Sequence, residues 1–328
     1  MNTRAASVSI DLDNQWAYMK TQGCAGWEDF PSYLTLVVPR ILETLRLSGL
    51  RATFFIVGKV AALEKNHAPL RAIADAGHEI ANHSFLHEPW LHLYNDEELR
   101  RDFDQAEESI TTATGARPLG FRGPGFSTSP SVRALLRERG YVYDASILPT
   151  FIGGLARTYF FMTSKLPAEE KKRRSRLYGR FSDGFTPLRP YAIEPGLTEV
   201  PVTTLPLLRT PIHLSYLLFL GQYSMPLARA YWHSAVLACR AAGVGPSLLL
   251  HPTDFLDGED VPAMHFFPAM QLHSARKIAL VRETLESLRA HWSTGTMLRH
   301  AQSCTAAESA TLQKIPARSP TPRIHTPT

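Results

Sequence analysis

Two hydrophobic patterns alternate along the chain. Ala6–Leu12 places apolar side chains at every second position, the period of a half-buried strand. Residues 32–49 then space apolar residues as a helix does and stop at Gly49. The continuous apolar, aromatic run in "RATFFIVG" predicts a buried strand. "APLRAIADAG" reads as a helix ending at Gly77, and "HEIANHS" as the next strand. Residues 95–115 begin with an Asn/Asp cap, carry acids in the first turn and end at Gly115, which predicts a helix. "PLGFRGPG" is a strand running into a Gly/Pro turn, Ser129 caps a helix with Pro130 at its first position, and "YVYDAS" is a further strand.

The alternation breaks between about 150 and 196, where "FIGGLARTYFFM", the basic run "KKRRSR" and several Gly and Pro residues occur. It resumes with the strands "LTEVPVT" and "SLLLHP", a helix over 226–243 and a last helix from about Pro268 to His291. Repeated strand–helix units predict a parallel sheet, and about seven strands suit an incomplete barrel. The 150–196 segment is too long for a simple connection and reads as an inserted subdomain or lid before the sixth strand. The domain expected is therefore a barrel over 1–295, followed by a tail over 296–328 whose Pro-, Ser- and Thr-rich part, from about 314, is expected to be disordered.

Ionisable residues gather at the C-terminal ends of these strands. Asp11 and Asp13 close the first, His83 and His87 the third, Arg122 the fourth, Asp144 the fifth, and His251 and Asp254 the last. In a parallel barrel all those ends open on one face, where active sites sit. His83 and His87, four apart, point the same way if the segment turns helical, and an aspartate completes a two-histidine, one-carboxylate set. Such a set with an open position suits catalytic zinc and equally non-haem iron. Asp11 and Asp13 share a face of an extended strand, so one can bind metal while its neighbour takes a proton from water. Arg122 can pair with that base, His251 can protonate a leaving group, and Asp144 or Asp254 can set the tautomer of His251.

Together "SIDLDN", "HSFLH", "FRGPGF", "YDAS" and "LLLHPTD", in this order, resemble the NodB-type polysaccharide deacetylases, carbohydrate esterase family 4. The resemblance spans roughly 6–150 and 197–290. It implies a distorted (β/α)7 barrel and a divalent metal, usually zinc, with Co2+, Ni2+ or Fe2+ as alternatives. By position it implies Asp13, His83 and His87 as ligands, Asp11 as general base, Arg122 as the group orienting that base, and His251 as general acid. Asp144 matches the acidic residue that tunes the acid histidine. The Gly125 N–H matches an oxyanion donor, and Pro124 and Trp16 are candidate substrate contacts. Two departures stand out: Leu12 separates the two aspartates, which family members usually carry side by side, and Phe126 replaces a glycine.

The function expected is hydrolysis of an N-acyl group, most of all N-acetyl, from an amino sugar. A cyclic amide or imide hydrolase, a non-haem iron oxygenase and a non-catalytic sugar-binding protein are the alternatives. The net charge of +5 is mild, and no basic run interleaved with aromatics suits nucleic acid. Cys24, Cys239 and Cys304 form no CxxC pair and read as reduced thiols. The N-terminus lacks an apolar stretch long enough for a signal peptide, which predicts a cytoplasmic protein acting on a nucleotide-linked, lipid-linked or small amino sugar. "EEKKRRSR", "RTYFFM" and the apolar stretch 205–221 read either as a solvated charged face with buried packing of the inserted segment or as a peripheral contact with the inner membrane surface. Oligomeric state is not legible.

Overall fold

The computed structural model describes residues 4–163, 167–173 and 180–312. Their strands are β1 (Ala5–Leu12), β2 (Thr53–Ile56), β3 (Glu79–Asn82), β4 (Gly120–Phe121), β5 (Tyr143–Asp144), β6 (Tyr191–Glu194), β7 (Leu197–Glu199), β8 (Ser247–Leu250) and β9 (Ser293–Gly295). The sheet runs β6-β7-β5-β4-β3-β2-β1-β8, with β9 parallel to the start of β1. All pairings are parallel except β6 with β7. The sheet curls back on itself. Beyond β7 the chain reaches Thr203, whose N–H donates to Ser247 O at 3.1 Å while its hydroxyl accepts from Ser247 N–H at 2.8 Å. That stitch joins β7 to β8 and makes an incomplete ring of seven strands, as the alternating pattern predicts. Two strands lie outside it: β6, within the segment that precedes β7, and β9.

The helices are α1 (Gln15–Gln22), α2 (Leu34–Leu47), α3 (Gly58–Ala61), α4 (His67–Asp75), α5 (Asp96–Thr114), α6 (Pro130–Glu138), α7 (Gly153–Thr163), α8 (Ala168–Arg173), α9 (Leu214–Gly221), α10 (Met225–Ala242), α11 (Ser274–His291) and α12 (Met297–Leu312). The caps legible in the sequence are present. Asn95 and Glu98 form a reciprocal capping box on α5, Gly115 ends that helix with φ 75°, and Ser129 caps α6. No helix of the described residues is long and apolar enough to cross a membrane.

Parallel strands covered on both sides usually read as unbroken apolar runs. β1 alternates because its two faces meet different surroundings. Ala6, Val8, Ile10 and Leu12 pack in the main core with α2 and α4, whereas Ser7, Ser9 and Asp11 face polar partners inside the ring. The ring interior is filled at its base by Phe55, Ala81, Tyr143, Ala145 and Val200 with Met297 and Ala301. Glu79 anchors that base. Its carboxyl accepts from Thr53 Oγ1 (2.6 Å), Tyr143 OH (2.8 Å) and the Leu298 N–H (3.0 Å) in the first turn of α12, where an acid suits the helix dipole.

Two boundaries differ from the sequence reading. The last periodic helix begins at Ser274, not near Pro268, because Ala269 takes a left-handed φ of 63° and the preceding residues are turns. The chain after 295 begins as α12, with Met297, His300 and Ala301 buried under the barrel, so a division there cuts through packed structure. The expected disorder from about 314 lies outside the described residues, as do Arg174–Arg176 of the basic run.

Gly120 faces Tyr143 across β4 and β5, and a Cβ built there lies 1.9 Å from the ring. Gly120→Ala is therefore expected to lower unfolding free energy by about 2–3 kcal/mol in urea melts, the scale of core overpacking. An unchanged midpoint contradicts this packing.

Candidate active site

β1 delivers Asp11 within its last turn of pleat and Asp13 just beyond its end, and β3 delivers His83 directly after Asn82. The ladder continues for one residue, since His83 N–H donates to Ile56 O at 2.9 Å. The next segment is not helical. Ser84 and His87 adopt left-handed φ of 62° and 57°, and this bend, not a helical turn, brings the two imidazoles together. Their ring centroids lie 5.0 Å apart.

One donor atom from each of Asp13, His83 and His87 lies within 4.8 Å of the other two. His87 Nε2 is 2.9 Å from Asp13 Oδ1, and His83 Nε2 is 3.5 Å from the same oxygen. That buried oxygen has no partner with hydrogen-bond geometry. His83 Nδ1 lies 2.6 Å from Arg122 O, which places the ring proton on Nδ1 and turns the Nε2 lone pair inward. A buried carboxylate oxygen facing imidazole nitrogens without a directed proton is what a cation's donor set requires. The charge balance agrees. Burial works against ionised Asp13, yet His87 and His83 hold its carboxyl well below the usual range. Burial likewise opposes positive charge at His83, while Asp11 and Asp13 favour it. These residues fit a divalent metal.

Asp11 belongs to the neighbouring network. The Arg122 guanidinium is fully buried. Its Nη1 donates to Asp11 Oδ1 at 2.5 Å and to Ser9 Oγ at 3.1 Å, its Nε to Ala145 O at 3.1 Å, and its Nη2 to Met297 S at 3.4 Å. The guanidinium also lies 4.2 Å from the centre of the Phe55 ring. One oxygen of Asp11 is thereby fixed, and the other, Oδ2, stands 3.9 Å from His83 Nε2 beside the donor set.

The adjoining wall comes from β8, which pairs with β1, and from α9. His251 follows Leu250 at the strand end and opens a short turn over Pro252–Phe255, which Asp254 closes by accepting the His251 N–H at 2.8 Å. Ser215 Oγ lies 3.0 Å from His251 Nδ1 and donates to Asp254 Oδ1 at 2.7 Å. Next to it, His213 accepts the Tyr216 N–H on Nδ1 at 3.3 Å, and its ring centroid is 6.4 Å from that of His251. Burial, with the nearby His251, pushes the His213 pKa down to about 3.

Residues 25–143 match the family model described as polysaccharide deacetylase. Over this stretch the chain is similar to the polysaccharide deacetylases. A peptidoglycan deacetylase-like protein of Gibberella zeae is 34% identical over 148 residues, 43% of either chain. A peptidoglycan deacetylase of Helicobacter pylori is 28% identical over 151 residues, 44% of this chain and 49% of that one. A peptidoglycan-N-acetylglucosamine deacetylase of Bacillus cereus is 33% identical over 107 residues, 33% of this chain and 37% of its own. The chain thus spans less than half the length of each of these relatives. A crystal structure of a Mycobacterium smegmatis protein assigned to the polysaccharide deacetylases superposes over 98% of this chain and 94% of its own, with a TM-score of 0.58 and 22% identity, a likeness of fold.

Within this fold the remaining expected residues fall in three places. Asp144 does not meet His251. Its carboxyl accepts from Ser146 N (3.1 Å), Ser146 Oγ (2.5 Å) and Thr128 Oγ1 (3.3 Å). Ser146 Oγ in turn accepts the Gly123 N–H at 2.8 Å, so Asp144 ties down the loop that carries Pro124 and Gly125. In that loop Pro124 is buried, Gly125 has φ 58° and Phe126 φ 64°. Phe126 holds a conformation that favours glycine because its ring packs on Leu148, Val202 and Leu249. Trp16 is a correction: it is 1% exposed and packs edge-on against Phe30 in the core, not on an open sugar surface.

Ser215 and His213 escaped the sequence reading because they sit in the apolar stretch 205–221, which reads as packing. The available signal was a histidine and a serine interrupting that run at a helix start.

Arg122→Ala leaves Asp11 buried without the cation that pairs with it. Stability is expected to fall by about 3–5 kcal/mol in chemical unfolding, and Arg122→Met combined with Asp11→Asn to recover part of it. A single variant as stable as the parent contradicts this account of the pair.

Proposed function

We propose that the protein hydrolyses the N-acetyl group of an amino sugar, using a divalent cation held by Asp13, His83 and His87, with zinc the first choice. The observation that carries the reading is the convergence of that donor set with Asp11, anchored by Arg122, beside the strand β8 whose end carries His251. The cation supplies Lewis acidity to the amide carbonyl and lowers the pKa of water to about 7.

The chain's own groups do the rest. Asp11 Oδ2 takes the proton of the attacking water, and Arg122 keeps Asp11 ionised and oriented. The Gly125 N–H donates to the oxygen that becomes negative, its loop held through Asp144, Ser146 and Gly123. His251 serves as acid in its imidazolium form, keeping the proton on Nδ1 and giving the one on Nε2 to the departing amine. The step balances: water gives one proton to Asp11 and its hydroxyl to the acyl carbon, the C–N bond breaks as the amine takes the His251 proton, acetic acid leaves, and the proton on Asp11 returns through solvent to His251.

A lipid-linked sugar at the inner membrane surface is the substrate class that the surroundings support. Between Thr204 and Pro211, which form a bridge, the chain projects a tight tip at Leu207 and Leu208, 93% and 67% exposed. Arg209 in the same tip donates to Thr186 O at 3.1 Å, which brings it beside the Phe181–Phe185 turn, where both phenylalanines are exposed. Arg180 and the lysines of α8 add cations to that segment. This tip leaves β7 at its C-terminal end and returns to His213, so it borders the site. Apolar side chains flanked by basic ones suit an anionic bilayer.

Two tests follow. Acetate release should be assayed on nucleotide-linked, lipid-linked and oligomeric N-acetylglucosamine. Chelation is expected to abolish it, and zinc or cobalt to restore it. Asp11→Asn is expected to lower kcat by roughly 10²–10⁴-fold with metal content unchanged. Equal turnover by metal-free protein, or by Asp11→Asn, rejects the mechanism. For the membrane, co-sedimentation with anionic vesicles is expected, weakened about tenfold or more for each of Leu207→Asp and Leu208→Asp; no binding at low salt removes that substrate class.

A further inference from the structure

The hydroxyl of Ser215 lies between two groups whose own bonding leaves it one arrangement. Asp254 is buried, and its Oδ2 already accepts the His251 backbone N–H, which fixes the carboxylate as the cap of the Pro252–Phe255 turn. Its Oδ1 faces Ser215 Oγ at 2.7 Å. A carboxylate accepts and does not donate, so the single hydroxyl proton of Ser215 goes to Asp254. The serine oxygen then has only lone pairs for His251 Nδ1, 3.0 Å away. The hydrogen of that contact must come from the imidazole. Burial raises the Asp254 pKa above the ordinary carboxylate range, and the His251 charge and N–H, the Ser215 hydroxyl and buried Lys277, whose Nζ donates to Thr253 O at 3.0 Å, work against that rise.

We propose that Ser215 is a positioning residue: it links Asp254 to His251, fixes the proton of that imidazole on Nδ1, and presents Nε2 to the site. The assignment rests on the deacetylase reading for its catalytic consequence: a histidine whose Nδ1 proton is held in place gains and gives its second proton at Nε2, the nitrogen that must reach the amine. Its structural content stands apart from that reading. His213 is the internal contrast. Its Nδ1 accepts the Tyr216 N–H as the cap of α9, so its proton sits on Nε2. Two neighbouring histidines, one at the end of β8 and one at the start of α9, therefore carry opposite tautomers. A single turn of α9 sets both, through the backbone N–H of Tyr216 and the side chain of Ser215. Tyr216 packs near His213, the Asp11 charge reaches the same ring, and Tyr18 and Tyr33 lie near Asp254.

The experiment is a long-range 1H–15N correlation spectrum of the zinc-loaded full chain with 15N-labelled histidine, the two spin systems assigned with His251→Gln and His213→Gln. The expected result is an Nδ1–H tautomer for His251 and an Nε2–H tautomer for His213. In Ser215→Ala the His251 pattern should shift to a mixture or to Nε2–H while His213 is unmoved, and Ser215→Thr should restore it. In acetate release, Ser215→Ala should lower kcat by about 10- to 100-fold with KM unchanged, as misorientation of one group does. Ser215→Thr should stay within about threefold of the parent. A His251 tautomer that is Nε2–H in the parent, or unchanged in Ser215→Ala, overturns the proposal. A parent that shows the expected tautomers and their loss in Ser215→Ala, but hydrolyses no acyl sugar, supports Ser215 in its positioning place and retires the deacetylase reading instead.

Discussion

A guanidinium with no exposed surface must be given partners before a chain can close around it. Arg122 crosses the inside of the ring and meets an anion, a hydroxyl, a carbonyl, a sulfur and the face of an aromatic ring, contributed by β1, β2, the end of β5 and α12. Removing an ion of this kind from water costs several kcal/mol, so the charge is tolerated only because each donor is directed. Its backbone takes part as well, because the Arg122 carbonyl accepts from His83 and so orients the ligand face of that ring. One residue thereby sets the position of Asp11 through its side chain and the aim of His83 through its main chain. The strand alternation of β1, the placement of α12 under the barrel and the geometry of the donor set all follow from where that charge is held.

Much of this was legible in the sequence because the signals were local. The period-two pattern of Ala6–Leu12, the cap at Asn95 and the Pro130 start of α6 each depend on near neighbours, and each appears where it was read. The collection of Asp11, Asp13, His83, Arg122 and His251 at strand ends was legible for a topological reason: parallel strands send their C-terminal ends to one face. What stayed hidden depends on contacts between distant segments. The approach of His87 to Asp13 relies on two left-handed residues that no motif announces. Asp144 had the right type and position for a partner of His251, but Ser146 and Thr128 claim its oxygens. Trp16 followed the two aspartates closely enough to look like a sugar platform, yet helix α1 turns it into the core. Met297 and His300 read as the start of a tail because their burial depends on the barrel base being open to receive them.

The family's departures in this chain have local explanations of the same kind. Leu12, set between the two aspartates, points to the helix-covered side of β1, so the residues on either side of it face the interior together. Phe126 accepts an unfavourable backbone angle and gains a place among Leu148, Val202 and Leu249. In both cases a hydrophobic contact outside the reacting centre decides how the polar groups are presented to it.

The ring's joint between Thr203 and Ser247 has a further consequence. Elsewhere the strands are bound by ladders of amide bonds, whereas here a single threonine supplies both links, one of them by its hydroxyl. A sheet held this way can accept a longer excursion between its two edges without widening its circumference. The chain uses that freedom to leave after β7, form the leucine tip and return to α9 before entering β8. Variation in what the protein takes hold of can therefore accumulate at this join, while the strands that carry Asp13 and His83 keep their spacing.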